Sequence, residues 1–389
     1  MASFPRAFLS KRSSRFIWLL SLTSLVVVLG LVMVLSSSTV WSLISNDNAF
    51  TVFLKQAGSL AIGFVLMLVM ATRSTEWLFK MAPFAYGGTL FLQALVLWSP
   101  IGVSIGGNRN WLSIGPFTLQ PSEFIKLGLI LLVAKLISET LAHIDSFQNF
   151  TLRLFVVGGV GILAVFAGHD LGTAIVIGLI LIGMVFLSGV PFANLRWPLG
   201  AAVALVLFGL TLGGSRMARV TAWLNPGTDD SSPFDWQAQH GIWALAAGGF
   251  NGVGLGASKL KWSWVPEADN DYIFAIIGEE WGWIGAVIVI VLFVLIINFI
   301  RMIAADAKDL TSHMAALGIM LWISVQTFLN IGVVISFFPV LGVPLPLISS
   351  GGSSLVASMM AIGIILAIDR ENHDGVTSGT RSSRIRAVK

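Results

Sequence analysis

Five carboxylates, Glu267, Asp269, Asp271, Glu279 and Glu280, fall within the nineteen residues VPEADNDYIFAIIGEEWGW at 265–283. The nearest cations upstream are Lys259 and Lys261. Tyr272, Ile273 and Phe274 follow Asp271 at once, so Asp271 stands where water gives way to apolar protein. Partial desolvation raises a carboxylate's pKa and makes it a better base near neutral pH. Pro266 restricts the backbone beside the cluster, and Glu267 and Asp269 are expected to be the more exposed acids. An acidic patch is usually only a solvated face. Here the boundary position favours an acidic catalytic site or a cation-binding site; no cofactor is required by the sequence, and a divalent ion such as Mg is the one the carboxylates could hold.

A second polar cluster lies in GNRNWLSIGPFTLQPSEFIKLGLI. Pro121 suits the first turn of a helix, which Gln120 or Ser122 can cap. Glu123 favours the helix N-terminus through the dipole. Lys126 sits one turn further in and must turn away from hydrocarbon. Glu123 and Lys126 are three apart, hence neighbours on the helix, and a local ion pair is one reading. The other is that Lys126 joins Arg109 in a cationic site suited to phosphate. Trp111 reads first as an interface anchor. In GHDLGTA, Asp170 is expected to cap a helix. FPVLGVPLPLISSGGSS, from 338, has three prolines and three glycines and cannot be continuous helix. It is either a tight turn or a cavity lining, with Ser353 among the hydroxyls it offers.

The elements that carry these residues follow from composition. Hydrophobic residues make up 56% of the 389-residue chain, charged residues 11%, and mean hydropathy is +0.88. Soluble domains carry about 25% charged residues. The apolar runs are too long for barrel strands and suit spanning helices. The sequence predicts an all-α integral membrane protein with ten transmembrane helices, at about 16–36, 51–71, 82–99, 121–139, 152–168, 170–190, 196–212, 273–300, 312–335 and 352–369. The first apolar run follows a basic start and is read as a retained span. Sixteen of the 23 Lys and Arg residues then fall on the side of the termini, which places both termini in the cytoplasm. Residues 1–15 form a cytoplasmic tail, 16–369 the membrane domain and 370–389 a second cytoplasmic tail. A large extracytoplasmic loop, 213–272, separates spans seven and eight. Its tryptophans argue for a folded loop, and DWQAQHGIWALAAGGF within it reads as a helix ended by glycine. The chain has no cysteine and its five histidines have no metal-ligand spacing, which excludes disulfides, thiolate metals and simple histidine metal sites. No nucleic-acid signature is present.

Six blocks together, the loop at 109–111, QPSEFIK at 120–126, DLGTA at 170–174, GGFNGVGLGASKLKW at 248–262, PEADNDYIFAIIGEE at 266–280 and PLPLISSGGSS at 344–354, resemble the SEDS family (shape, elongation, division and sporulation). GLGASKLKW followed by PEADNDYIFAIIGEE is most similar to the family's division branch. The resemblance implies a peptidoglycan glycosyltransferase that polymerises lipid II, a disaccharide-pentapeptide on undecaprenyl pyrophosphate, outside the bacterial cytoplasmic membrane at the septum. It assigns the family's essential aspartate to Asp271 as general base. It casts Arg109 and Lys126 as pyrophosphate contacts and Glu280 as an orienting group for a cation, with Trp111, Gln120, Glu123, Glu267 and Ser353 lining the substrate site. It also implies partners: a class B penicillin-binding protein transpeptidase and other divisome membrane proteins. Asn110 stands where arginine is frequent in the family, and His169 where proline is usual. Two rival functions are a lipid II flippase and a non-catalytic scaffold that recruits the transpeptidase. Charges at helix ends, rather than at the midplane, favour surface chemistry over transport.

Overall fold

The computed structural model describes residues 13–115, 117–141, 147–211, 214–227, 233–262 and 264–386. The expectations for Arg6, Lys11 and Arg12 in the N-terminal tail, and for Lys389, lie outside the described residues. The helices, in chain order, are α1 Ser14–Asn46, α2 Thr51–Thr72, α3 Thr75–Trp98, α4 Pro121–Leu141, α5 Phe147–Ala167, α6 Leu171–Leu187, α7 Phe192–Thr211, α8 Gly214–Leu224, α9 Pro233–Gly248, α10 Ile273–Ala305, α11 Leu310–Val334 and α12 Gly352–Arg386. Three strands, β1 Gly102–Ile105, β2 Asn108–Ile114 and β3 Phe117–Leu119, lie between α3 and α4.

A helix lies on each of the ten predicted segments. Eight are long and apolar enough to cross a membrane, so this is a multi-pass membrane protein. The other two are α4, which carries Glu123, Lys126, Lys135 and Glu139, and α6, which has only 17 residues. Some boundaries differ from expectation. α1 continues to Asn46 rather than stopping near 36. α3 starts at Thr75 rather than near 82, because Ser74 caps it by accepting from Trp77 N at 3.3 Å and Glu76 occupies its first turn. α12 runs on to Arg386, so the tail expected from 370 begins as helix.

The all-α expectation needs correction. β1, β2 and β3 form an antiparallel sheet in that order, with Val103 opposite Trp111 and Ser113 opposite Thr118. Gly106 and Gly107, at φ 58° and 84°, make the β1–β2 turn. The segment is too short and polar to span a membrane, and hydropathy alone does not reveal strands in it.

Burial identifies the centre of the bundle. The apolar window of α12 is 89% buried, whereas that of α7 is 11% buried. α12 packs along α2, and α11 packs against α4, α6 and α10. The large loop is folded, as expected: α8 and α9 lie in it, and α9 ends before Gly249, at φ 55°. α10 is broken at Gly282, at φ 68° and ψ −165°. The segment after α9 repairs the break. Val253 N and Gly254 N donate to Glu279 O and Glu280 O, both at 3.0 Å, while Trp283 N donates to Gly249 O at 2.9 Å. A Cβ at Gly282 would sit 2.5 Å from Phe250 O, so this approach requires glycine.

Candidate active site

Asp271 ends the loop that enters α10, and its backbone is clamped from two sides. Asn330 Nδ2, on α11, donates to Asp271 O and to Val343 O, both at 2.8 Å. Ser349 Oγ donates to Asn270 O at 2.7 Å and accepts from Leu345 N at 2.8 Å. Ser350 N donates to Asp269 O at 2.8 Å. Three consecutive carbonyls, 269 to 271, are thus satisfied by α11 and the irregular 338–351 segment. Backbone without regular structure needs such partners when it is buried. The proline- and glycine-rich segment is therefore a support for the acidic loop as well as the turn that opens α12.

The Asp271 carboxylate itself is left available. Its Oδ1 is buried and has no hydrogen-bond partner among the described residues. A Cβ at Gly342 would stand 3.5 Å from Asp271 Oδ2 and 3.8 Å from Arg219 Nη1, so carboxylate and guanidinium flank the same glycine. Burial pushes the Asp271 carboxyl up to about 7. The neighbouring Glu267 charge adds to the rise, Arg219 opposes it, and Asp170 and Asp269 add smaller increments. Asp269 is pushed up to about 6, again by burial first and then by Glu267. Glu267 is exposed and sits at φ 54°, and its carbonyl accepts from Asn270 N at 3.0 Å and Tyr272 N at 3.1 Å. The turn this makes projects Asp269 and Asp271 inward, so Glu267 is exposed as expected while Asp269 is not.

The five carboxylates divide into two groups. Glu279 and Glu280 belong to a separate buried network. Lys259 N donates to Glu279 Oε1 at 2.9 Å, and Glu280 Oε1 accepts from Ser36 Oγ at 2.6 Å and from Lys261 Nζ at 3.2 Å. The cation that Glu280 orients is thus Lys261, and the pair ties the loop to α1. Among the described residues, no three His, Asp or Glu side chains converge as a metal site.

Arg109 and Lys126 do not share a contact. Arg109, on β2, donates from Nε to Val96 O at 2.9 Å and from Nη2 to Ser99 O at 3.0 Å, closing the end of α3. Lys126 Nζ is buried between Glu123 Oε1 at 2.7 Å and Gln326 Oε1 at 2.8 Å, and lies 4.9 Å from the centroid of Trp322. The local ion pair that the spacing allowed is formed. Trp111 is half-buried in the sheet. Gln120 N donates to Ser353 Oγ at 2.9 Å, which joins those two residues, and Gln120 Nε2 reaches Asp170 Oδ2 at 3.4 Å. Asp170 caps α6 as expected, accepting from Thr173 N at 2.9 Å and Thr173 Oγ1 at 2.8 Å. Asn110, the departure from the family pattern, is buried and donates to Asp170 at 2.6 Å while accepting from Gln93 at 2.6 Å.

Asn330, Gln326 and Arg219 belong to no motif that the sequence singles out. Asn330 and Gln326 are four apart on one apolar helix, a spacing that puts both on one face, and polar residues inside a span mark helix contacts or function. Arg216 and Arg219 are likewise three apart in SRMARVTAWL, the most amphipathic of the helices. A cavity of about 230 Å³ is lined by both arginines together with His169, Gly172, Val340 and Leu341.

Residues 16–374 match the cell cycle protein family of FtsW, RodA and SpoVE. The chain is 35% identical to stage V sporulation protein E of Bacillus subtilis, over 93% of this chain and 98% of that protein. It is 34% identical to the probable peptidoglycan glycosyltransferase FtsW of Mycobacterium tuberculosis, over 96% of this chain and 71% of the relative. Its fold resembles a chain of a peptidoglycan synthase complex solved to explain how polymerization and crosslinking are coordinated, with TM-score 0.72, 29% identity, and 91% and 97% of the two chains covered. It also resembles the rod shape determining protein RodA of Thermus thermophilus, with TM-score 0.67, 26% identity, and 91% and 96% covered.

Proposed function

Since the chain belongs to the cell cycle protein family of FtsW, RodA and SpoVE, we propose that it is a peptidoglycan glycosyltransferase that polymerises lipid II during cell division, with Asp271 as the general base. The observation that carries the assignment is the Asp271 carboxylate. Its backbone is clamped, its Oδ1 is unpartnered among the described residues, and burial pushes it up to about 7. A general base works best when its pKa lies near the operating pH and its geometry is fixed.

The reaction is a displacement at an anomeric carbon. A sugar 4-hydroxyl attacks the lipid-linked anomeric carbon, and the new C–O bond forms as the bond to pyrophosphate breaks. The hydroxyl proton passes to Asp271, and the pyrophosphate leaves with the bonding electron pair. Asp271 must therefore be ionised before the step and shed a proton after it. Asp269 and Glu267 keep the local field negative, which holds the Asp271 proton affinity high enough to accept. In this reading Trp111, Gln120, Glu123 and Ser353 shape the walls of the site, and Arg109 and Lys126 act through the positions of α3 and α4.

The same proposal places the chain in the bacterial cytoplasmic membrane at the septum as ten spans, with both termini cytoplasmic and the 213–272 loop outside. Its partners would be a class B penicillin-binding protein, which supplies crosslinking, and other divisome membrane proteins. The test is polymerisation of labelled lipid II by the full chain together with its transpeptidase partner, comparing wild type with Asp271→Ala at matched thermal stability. Glycan from wild type and none from the variant is the expected result. Equal glycan from both removes Asp271 from the mechanism. No glycan from either, with lipid II moved across vesicles, favours the flippase; neither product favours the scaffold. Addition of Mg or EDTA in the same assay decides whether a divalent ion takes part.

A further inference from the structure

The pyrophosphate that leaves in this reaction needs a cation. The buried and half-buried cations around the site differ sharply in how far they are already committed. Lys126 is held by Glu123 and Gln326, Lys261 by Glu280, Ser36 and Gly256 O, and Arg109 by two carbonyls. Arg216 donates to Gly209 O at 2.9 Å and His169 O at 2.8 Å. Arg219 stands apart. Its Nε is buried with no partner among the described residues, and its recorded hydrogen bond is a long one, Nη1 to Val340 O at 3.5 Å. Its guanidinium lies 4.9 Å from the centroid of Phe234, a contact that does not consume its donors.

The surroundings of Arg219 are those of an amphiphile's head group. Arg219 lines the 230 Å³ cavity, and its Nη1 and Asp271 Oδ2 lie on one side of Gly342, 3.8 and 3.5 Å from where a Cβ would stand. Leu171, Ile175 and Val206 line that cavity and also a second, almost wholly apolar groove of about 580 Å³ between α5, α6 and α7. One continuous surface therefore runs from the apolar groove to the available guanidinium, and the Asp271 carboxylate stands near that guanidinium at Gly342. A buried donor without a partner is costly, so such a group marks a place where a ligand completes the hydrogen bonding.

We propose that Arg219 binds the pyrophosphate of a polyprenyl-linked substrate, whose hydrocarbon chain lies in the α5–α7 groove and whose sugar is thereby presented to Asp271. The inference rests on the glycosyltransferase reading for the identity of the sugar, but not for the binding of the head group. A guanidinium supplies two parallel donors to phosphate oxygens, a geometry that a lysine ammonium cannot reproduce. Arg219 also stabilises the negative charge that develops on the leaving pyrophosphate oxygen as the bond breaks.

The test uses the full chain in nanodiscs and two probes, geranylgeranyl pyrophosphate and geranylgeraniol, which share the hydrocarbon and differ in the head. Wild type is expected to bind the pyrophosphate at least about 10-fold more tightly than the alcohol. Arg219→Gln is expected to remove that preference while leaving alcohol binding unchanged, and Arg219→Lys to retain part of it. Retention of alcohol binding shows that both variants are folded. Equal pyrophosphate binding by wild type and Arg219→Gln, or no preference in wild type, overturns the proposal. Because binding is read without turnover, a protein that shows the preference but makes no glycan retains the head-group site and loses only the polymerase reading.

Discussion

Asn330 donates one side-chain nitrogen both to the carbonyl of Asp271 and to that of Val343, each at 2.8 Å. A single amide on α11 thus fixes the acidic loop against the irregular segment that ends in Gly351. Asn330→Ala leaves two carbonyls without their donor, and we expect it to lower stability by about 1–3 kcal/mol. Polymerisation should fall further than the folded fraction does, because the carboxylate loses its fixed position. Thermal melting and glycan yield measured on the same preparation separate the two effects. Unchanged yield per folded molecule would show that the clamp does not position the base.

The rate of polymerisation should rise with pH through about 7, since only the ionised Asp271 accepts a proton. The charged groups that act on it are Glu267, Arg219, Asp170 and Asp269. Glu267 raises its proton affinity, so Glu267→Gln should move the acid limb of the profile to lower pH. A pH–rate series on the two proteins checks this. An acid limb that stays in place, or moves upward, contradicts the assignment of Asp271 as the titrating base.

The same shift has a consequence for stability. The folded pKa of Asp271, about 7, lies above an unfolded value near about 3.9. Between these pH values the native state binds more protons than the unfolded chain, so stability falls as pH rises through that window. Asp271→Asn should therefore be more stable than wild type above pH 7, by on the order of 2 kcal/mol after allowance for the site's access to water. The difference should disappear below about pH 4. Melting temperatures at pH 4 and pH 8 decide it, and a variant less stable than wild type at pH 8 would refute the sign.

Lys126 and Glu123 form a pair whose side chains are each about 1% exposed. Removing one partner strands a buried charge, and Lys126→Met should cost about 3–5 kcal/mol. Lys126→Met combined with Glu123→Gln should cost much less than the sum of the two single changes. Additive losses in a double-mutant cycle would show that Lys126 is held chiefly by Gln326 and Trp322.

Much of the site was legible because local chemistry fixed it. The cap at Asp170 requires only an aspartate before a helix, and the Glu123–Lys126 pair only a spacing of three. The partners that arrive from elsewhere in the chain were not legible. Ser350 N reaching Asp269 O, and Lys261 reaching Glu280, join segments whose separation along the chain carries no periodic signal. The β1–β3 sheet was missed for a different reason: it is a polar insertion between apolar runs, and the hydropathy that reveals spans is silent about it.

The sequence by itself determined that the chain crosses a membrane repeatedly, that a helix lies on each of the ten apolar segments, which family it resembles and that Asp271 stands at a polar–apolar boundary. These depend on composition, on contiguous runs and on short motifs, which act locally along the chain. Only the tertiary structure decided that five neighbouring carboxylates separate into two networks, that Arg109 and Lys126 are committed to protein partners, and that Arg219 faces the cavity beside Asp271. Those outcomes depend on which groups are desolvated together and which donors are already used, and both are settled by packing between helices distant in sequence.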